Sequence, residues 1–126
     1  MKTILIVEDN EKNMKLVRDI LRHNGFTTIE ATTGGEGVRL ASEGKADLIL
    51  MDIQLPDIDG IEALRRIRAD RALDTVPVIA VSASVMPDDQ QKIVTSGFDA
   101  FVTKPINLKQ FLDTVKRFLA SGRTAG

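Results

Sequence analysis

Asp47-Leu48-Ile49-Leu50-Met51-Asp52, followed by Ile53-Gln54-Leu55-Pro56-Asp57-Ile58-Asp59-Gly60, is the stretch on which the fold of this 126-residue chain turns. Leu48 to Met51 are apolar without alternation, the pattern of a strand buried on both faces at the centre of a parallel sheet. The run stops at a carboxylate, Asp52, and residues 56–60 carry the proline, acids and glycine of a loop. A central parallel strand delivers its last residue to the carboxyl edge of the sheet. In open α/β sheets that edge binds ligands where the strand order reverses. Asp52 is therefore the first candidate for chemistry, and other strand ends must supply its partners.

Toward the amino terminus, residues 3–7 form a second short apolar strand that ends in acid, at Glu8-Asp9. Residues 10–24 follow a helical period, with Leu16, Val17, Ile20 and Leu21 on one face and Asn24-Gly25 as a stop. Residues 26–31 read as a weaker strand, and Thr33-Gly34-Gly35-Glu36 as a capping box opening a helix through about Glu43. Beyond Gly60 a helix over residues 61–69 turns Ile61, Leu64 and Ile67 inward. Residues 76–81 form a fourth strand with Pro77 at its beginning, where a missing donor matters least, and end at Ser82-Ala83.

Pro87-Asp88-Asp89 places a proline and two acids in a first helical turn, so a helix runs to about Ser96-Gly97, with Ile93, Val94 and Phe98 read as core or, in part, as output surface. Residues 99–103 are the fifth strand, ending at Lys104-Pro105. Asn107 and Gln110 cap a last helix striped by Phe111, Leu112, Val115, Phe118 and Leu119. Residues 120–126 are small and polar and read as a disordered tail after one domain of residues 1–119, with no output domain.

Five strands alternating with five helices imply right-handed crossovers and a doubly wound five-stranded parallel sheet with helices on both faces. The expected class is α/β, flavodoxin-like (βα)5, with strand order 2-1-3-4-5. That order sets the strands ending in Asp9 and Asp52 side by side at the switch point.

Composition narrows the function. The net charge of -1 offers no basic field for a phosphate backbone, and the absence of Trp and Tyr, with five Phe, removes most stacking platforms for single strands. Direct nucleic-acid binding is therefore not expected. With no cysteine there is no disulfide, thiolate metal site or cysteine nucleophile, which fits a reducing cytoplasm. The apolar run before Glu8 is too short for a signal peptide or membrane span. A cytoplasmic location without membrane contact is the expectation.

Four strands bring polar groups to one edge: Glu8-Asp9, Asp52, Ser82 and Lys104. Carboxylates gathered there repel one another unless a cation intervenes, and hard oxygens around an open position suit Mg²⁺. Acids, a hydroxyl and a lysine in one cleft suit phosphoryl chemistry, with one carboxylate attacking and the remaining groups offsetting charge on the phosphoryl oxygens.

Val7-Glu8-Asp9-Asn10, Met51-Asp52 through Pro56 and Gly60, Ser82-Ala83 and Lys104-Pro105 together resemble the receiver domain of bacterial two-component response regulators across nearly the whole chain. The opening residues 4–16 and the run 47–56 look like the DivK type of stand-alone, single-domain regulator. The resemblance implies a phosphoacceptor signalling protein, not an enzyme with an external substrate. Asp52 would accept a phosphoryl group from a phosphohistidine on a histidine kinase or phosphotransferase, in a relay or a switch.

By the same resemblance, Asp9, Asp52 and the Gln54 backbone carbonyl would hold Mg²⁺, or Mn²⁺ in its place, with Glu8 acting mainly through water. Lys104 would meet the phosphoryl group. Ser82, where Thr is usual, and Phe101, where Tyr is frequent, would form the switch. Gln54 and Ser84 would flank the site and set water access. A cis bond at Lys104-Pro105 would aim the lysine. The fourth helix, fifth strand and fifth helix would present the face that a downstream protein reads, and the chain would be a monomer or weak dimer.

Blander readings stand beside these. Taken singly, Asp52 is a turn acid and Lys104 a surface charge. Gly34-Gly35-Glu36-Gly37 lacks the lysine and spacing of a phosphate loop, so flexible helix entry is the better reading. His23 has no second ligand at useful spacing. Asn13 caps or faces the site, and Met14 is core or a partner contact. Two other functions remain open: a Mg²⁺-dependent phosphatase with an aspartyl nucleophile, whose usual second acid is here Gln54, and an adaptor that is never phosphorylated.

Overall fold

Strands and helices alternate along the computed structural model, which describes residues 2–83 and 86–122. The elements are β1 (Thr3–Val7), α1 (Glu11–His23), β2 (Thr27–Ala31), α2 (Gly34–Ser42), β3 (Leu48–Asp52), α3 (Gly60–Arg68), β4 (Val78–Ser82), α4 (Pro87–Thr95), β5 (Ala100–Thr103) and α5 (Leu108–Ser121). All strand pairs are parallel, in the order β2-β1-β3-β4-β5. The expected class and order are both observed. All five residues of β3 are buried, as its unbroken apolar run requires.

Side-chain alternation divides the core in two. Ile4, Ile6, Leu48, Leu50, Ile79 and Val81 face α1 and α5, where Met14, Val17, Leu21, Phe111, Val115 and Phe118 cover them. Leu5, Val7, Ile49, Met51, Val78 and Ala80 face the opposite layer, where Ala41 of α2, Ala63, Leu64 and Ile67 of α3 and Ile93 of α4 pack. Local chemistry sets the helix starts. The side chains of Asn10, Thr33, Asp59 and Asn107 each accept a hydrogen bond from the backbone N–H three residues on.

Several expectations shift. Leu16 is 46% exposed, because the buried stripe of α1 is Met14, Val17 and Leu21, and Leu16 lies one step round the helix from it. Met14 is thereby core. Val94 is exposed for the same reason, since Ile93 takes the sheet-facing position of α4. The helix α5 runs to Ser121, beyond the expected boundary at residue 119, and stops at Gly122 with φ +70°. The rest of the expected tail, residues 123–126, lies outside the described residues.

A 3₁₀ turn at Arg71–Leu73, which apolar periodicity does not announce, joins α3 to β4. It is held by Arg68, whose guanidinium donates to the carbonyls of Leu73 and Val76 and to Asp99 Oδ2. Asp99 Oδ2 also accepts from the Val78 N–H.

Candidate functional site

Parallel register places the polar strand ends in one row. Val7 pairs with Met51, Asp52 with Val81 and Ser82 with Thr103, so Glu8, Asp52, Ser82 and Lys104 end or directly follow adjacent strands. Alternation then sorts them by face. Glu8 continues the row of Ile4 and Ile6, Asp52 that of Leu48 and Leu50, and Lys104 follows Val102, so all three fall on the α1–α5 side. Ser82 and Phe101 fall on the opposite side, toward α4.

On the first face the charges meet. Lys104 Nζ lies 2.9 Å from Glu8 Oε1 and 3.2 Å from Asp52 Oδ2. Asp52 Oδ1 accepts from the Gln54 N–H at 3.2 Å, and Glu8 Oε2 from the Asn10 N–H at 3.3 Å. Glu8 and Asp52 are 4% and 5% exposed, whereas Asp9 is open to solvent. Carboxylate oxygens of Glu8, Asp9 and Asp52 all lie within 4.8 Å of one another.

Burial raises the Glu8 carboxyl above the ordinary range, and Asp52 adds to the rise while Lys104 opposes it. Burial alone would lower Lys104, but Glu8 and Asp52 outweigh it and its pKa is raised, so the ammonium persists. Three carboxylates against one ammonium leave the site short of positive charge. Its donors are hard oxygens with an open, solvent-facing side, and the set fits Mg²⁺. A cleft of about 870 Å³ opens over this edge, lined by Glu8, Asp9, Asn13, Asp52, Ser82 and Lys104 and, from α4, by Asp89 and Lys92.

The loop after β3 is folded tightly against the strand end. The Gly60 N–H donates to the Ile53 carbonyl at 2.8 Å, and a side chain on Gly60 would overlap the Asp52 carbonyl oxygen. The Lys104–Pro105 peptide is cis. Ser82 is 5% exposed and Phe101 half-buried against the α3–α4 layer. Ser84 lies outside the described residues. Asn13 lines the cleft but does not cap α1, a role taken by Asn10. His23 is exposed in the last turn of α1.

The glycine-rich stretch is not merely a flexible helix entry. The N–H groups of Gly34 and Gly35 hold Asp57 Oδ1 and Oδ2, each at 2.8 Å. Sequence reasoning missed this contact. Its only local signals are an acid after Pro56 and two glycines at a helix start, which periodicity does not connect.

The profile of the response regulator receiver domain matches residues 4–116. The chain is 45% identical over 118 residues to the polar-differentiation response regulator DivK of Brucella ovis, covering 94% of this chain and 96% of that protein. The DivK of Brucella abortus matches to the same extent. Among solved structures, the receiver domain of a sensor histidine kinase from Pseudomonas aeruginosa, with a magnesium ion coordinated in its active-site cleft, superposes with a TM-score of 0.88 at 32% identity, covering 94% of this chain and 98% of that one. A CheY-like receiver domain protein from Methanospirillum hungatei gives 0.87 at 30% identity, covering 96% and 95%.

Proposed function

This chain belongs to the response regulator receiver family, and we propose that Asp52 is its phosphoacceptor, served by Glu8, Asp9, Ser82 and Lys104. Receiver domains of two-component systems work with histidine kinases and phosphotransfer proteins, so the donor is a phosphohistidine. The observation that carries the assignment is the bridge from Lys104 Nζ to Glu8 and Asp52, with an Asp9 oxygen in the same cluster.

An Asp52 carboxylate oxygen attacks phosphorus, and the phosphorus–nitrogen bond of the donor breaks. Its electron pair stays on the imidazole, which regains its proton from solvent. Glu8, Asp9, Asp52 and the Gln54 backbone carbonyl would hold Mg²⁺, or Mn²⁺ of the same charge and ligand preference. When bound, the cation supplies positive charge to the phosphoryl oxygens. Lys104, already paired with Asp52, exchanges that carboxylate for a phosphoryl oxygen once the acyl phosphate forms.

Ser82 donates its hydroxyl to the phosphoryl group from the opposite row. Phe101 shares that row and packs against the α3–α4 layer, which supports a switch from Ser82 through Phe101 to α4. The downstream partner would read the α4–β5–α5 face, with the chain a monomer or weak dimer in the cytoplasm. Among the described residues no helix is long and apolar enough to cross a membrane.

Incubation with Mg²⁺ and a small phosphodonor, followed by intact mass, should add one phosphoryl group to the parent chain and none to Asp52→Asn. Equal labelling of Asp52→Asn would move the acceptor elsewhere. A phosphatase reading is disfavoured by Gln54 in place of its second acid, and absence of turnover of small phosphate esters is the expected result.

A further inference from the structure

We infer that Asp57 is a positioning residue for the phosphorylation site: bound by the first two amides of α2, its carboxylate holds the β3–α3 loop in the shape that presents the Gln54 carbonyl beside Asp52. The inference rests on the receiver reading above, and it assigns part of the site's geometry to a helix that contributes nothing else to it.

Residues 53–59 leave β3 at Asp52 and enter α3 at Gly60. One end is held by the Gln54 N–H on Asp52 Oδ1 at 3.2 Å, the other by the Gly60 N–H on the Ile53 carbonyl at 2.8 Å. Asp57 is a third attachment. Its Oδ1 accepts from the Gly34 N–H and its Oδ2 from the Gly35 N–H, both at 2.8 Å. These are first-turn amides without intrahelical acceptors, and two short charge-assisted bonds from a helix's positive end fix a carboxylate in both position and orientation.

The cradle is tight: a side chain at Gly34 would force Ile58 to move, and one at Gly35 would push on the Asp57 carboxylate. A Cβ on Gly35 would lie 3.1 Å from Asp57 Oδ2, and one on Gly34 would lie 2.5 Å from Ile58 Cγ1. Asp57 is also not needed to start α2, because the Thr33 hydroxyl already accepts from the Glu36 N–H at 3.1 Å. What Asp57 adds is a tie between that helix and the loop three residues beyond Gln54. Because a loop shape that favours the cation must in turn be favoured by it, Mg²⁺ should be felt at Gly34 and Gly35.

Mg²⁺ alone is titrated into ¹⁵N-labelled parent, Asp57→Ala and Asp57→Asn, following the Gly34 and Gly35 amide resonances and the metal affinity, with melting temperatures in parallel. In the parent both resonances should move with Mg²⁺. In Asp57→Ala that response should vanish and the Mg²⁺ Kd weaken about tenfold, the size typical of losing a group that orients a ligand. Asp57→Asn, which keeps one acceptor oxygen, should fall between. A lowered melting temperature with parent-like Mg²⁺ affinity and parent-like phosphoryl uptake would make Asp57 an ordinary helix-end contact and overturn the inference.

Gly35→Ala disturbs the same cradle while raising helix propensity, and so guards against a variant that does not fold. It should weaken Mg²⁺ binding several-fold without lowering the melting temperature, and parent-like affinity there also overturns the inference. A parent chain that takes up neither Mg²⁺ nor a phosphoryl group would instead overturn the receiver reading, and this inference with it.

Discussion

Gly60 shows how little room the site leaves at the level of one residue. Its Cα faces the backbone of the strand end, so an added Cβ would overlap the Asp52 carbonyl oxygen and lie 2.9 Å from Ile53 Cα. Neither atom is the end of a flexible side chain, so the loop itself has to move. Gly60→Ala should therefore destabilise the fold by about 1–3 kcal/mol, the usual range for overpacking. A urea denaturation midpoint equal to the parent's would refute that. Asp99 is the corresponding residue at the opposite edge of the sheet, with its side chain 5% exposed and its carboxylate 3.1 Å from Arg68 Nη2. Asp99→Ala strands a largely buried guanidinium and should cost about 3–5 kcal/mol in the same assay. Loss under 1 kcal/mol would show that the Leu73 and Val76 carbonyls suffice to hold Arg68.

Helix ends are the elements on which the site depends. The α2 start receives a carboxylate from a loop in addition to its own Glu36, which accepts from the Thr32 N–H, and the amides of Gly35, Ile58 and Gly34, in that order of effect, hold the Asp57 carboxyl down to about 2. A carboxyl whose folded pKa is depressed adds stability above its unfolded pKa and loses it as pH falls through the folded one. With an unfolded value of about 3.9, the window is about pH 4 to pH 2. Acid unfolding of Asp57→Asn should thus be flatter than the parent's across that window, and superimposable curves would argue against the contact in solution. The α1 start works differently, since Asn10 caps the helix while its own N–H binds Glu8, so one residue both closes β1 and opens α1.

For the whole molecule, the crowded acids predict a dependence on divalent cations. Mg²⁺ that binds only the folded chain should stabilise it by about 2.7 kcal/mol at a hundredfold excess over its Kd. Thermal melts with and without Mg²⁺ measure this, and Asp9→Asn should shrink the shift. Melting temperatures indifferent to Mg²⁺ would remove the metal from the proposed mechanism. Arg68 and Asp99 tie α3, β4 and β5 together at the other end of the sheet, away from these acids.

The strands, their order and the row of Glu8, Asp52, Ser82 and Lys104 were legible in the sequence because unbroken apolar runs of period-two residues end abruptly in polar ones, and parallel topology sends every such end to one edge. Helix faces were legible less finely: Leu16 and Val94 are apolar but exposed, because the buried stripe is narrower than the apolar one. Only the tertiary structure decided which strand-end groups share a face, that Lys104 bridges Glu8 and Asp52, and that Asp57 belongs to α2. Those contacts join residues 22 to 96 positions apart through side-chain reach and loop shape, and neither propensity nor periodicity carries information over that distance.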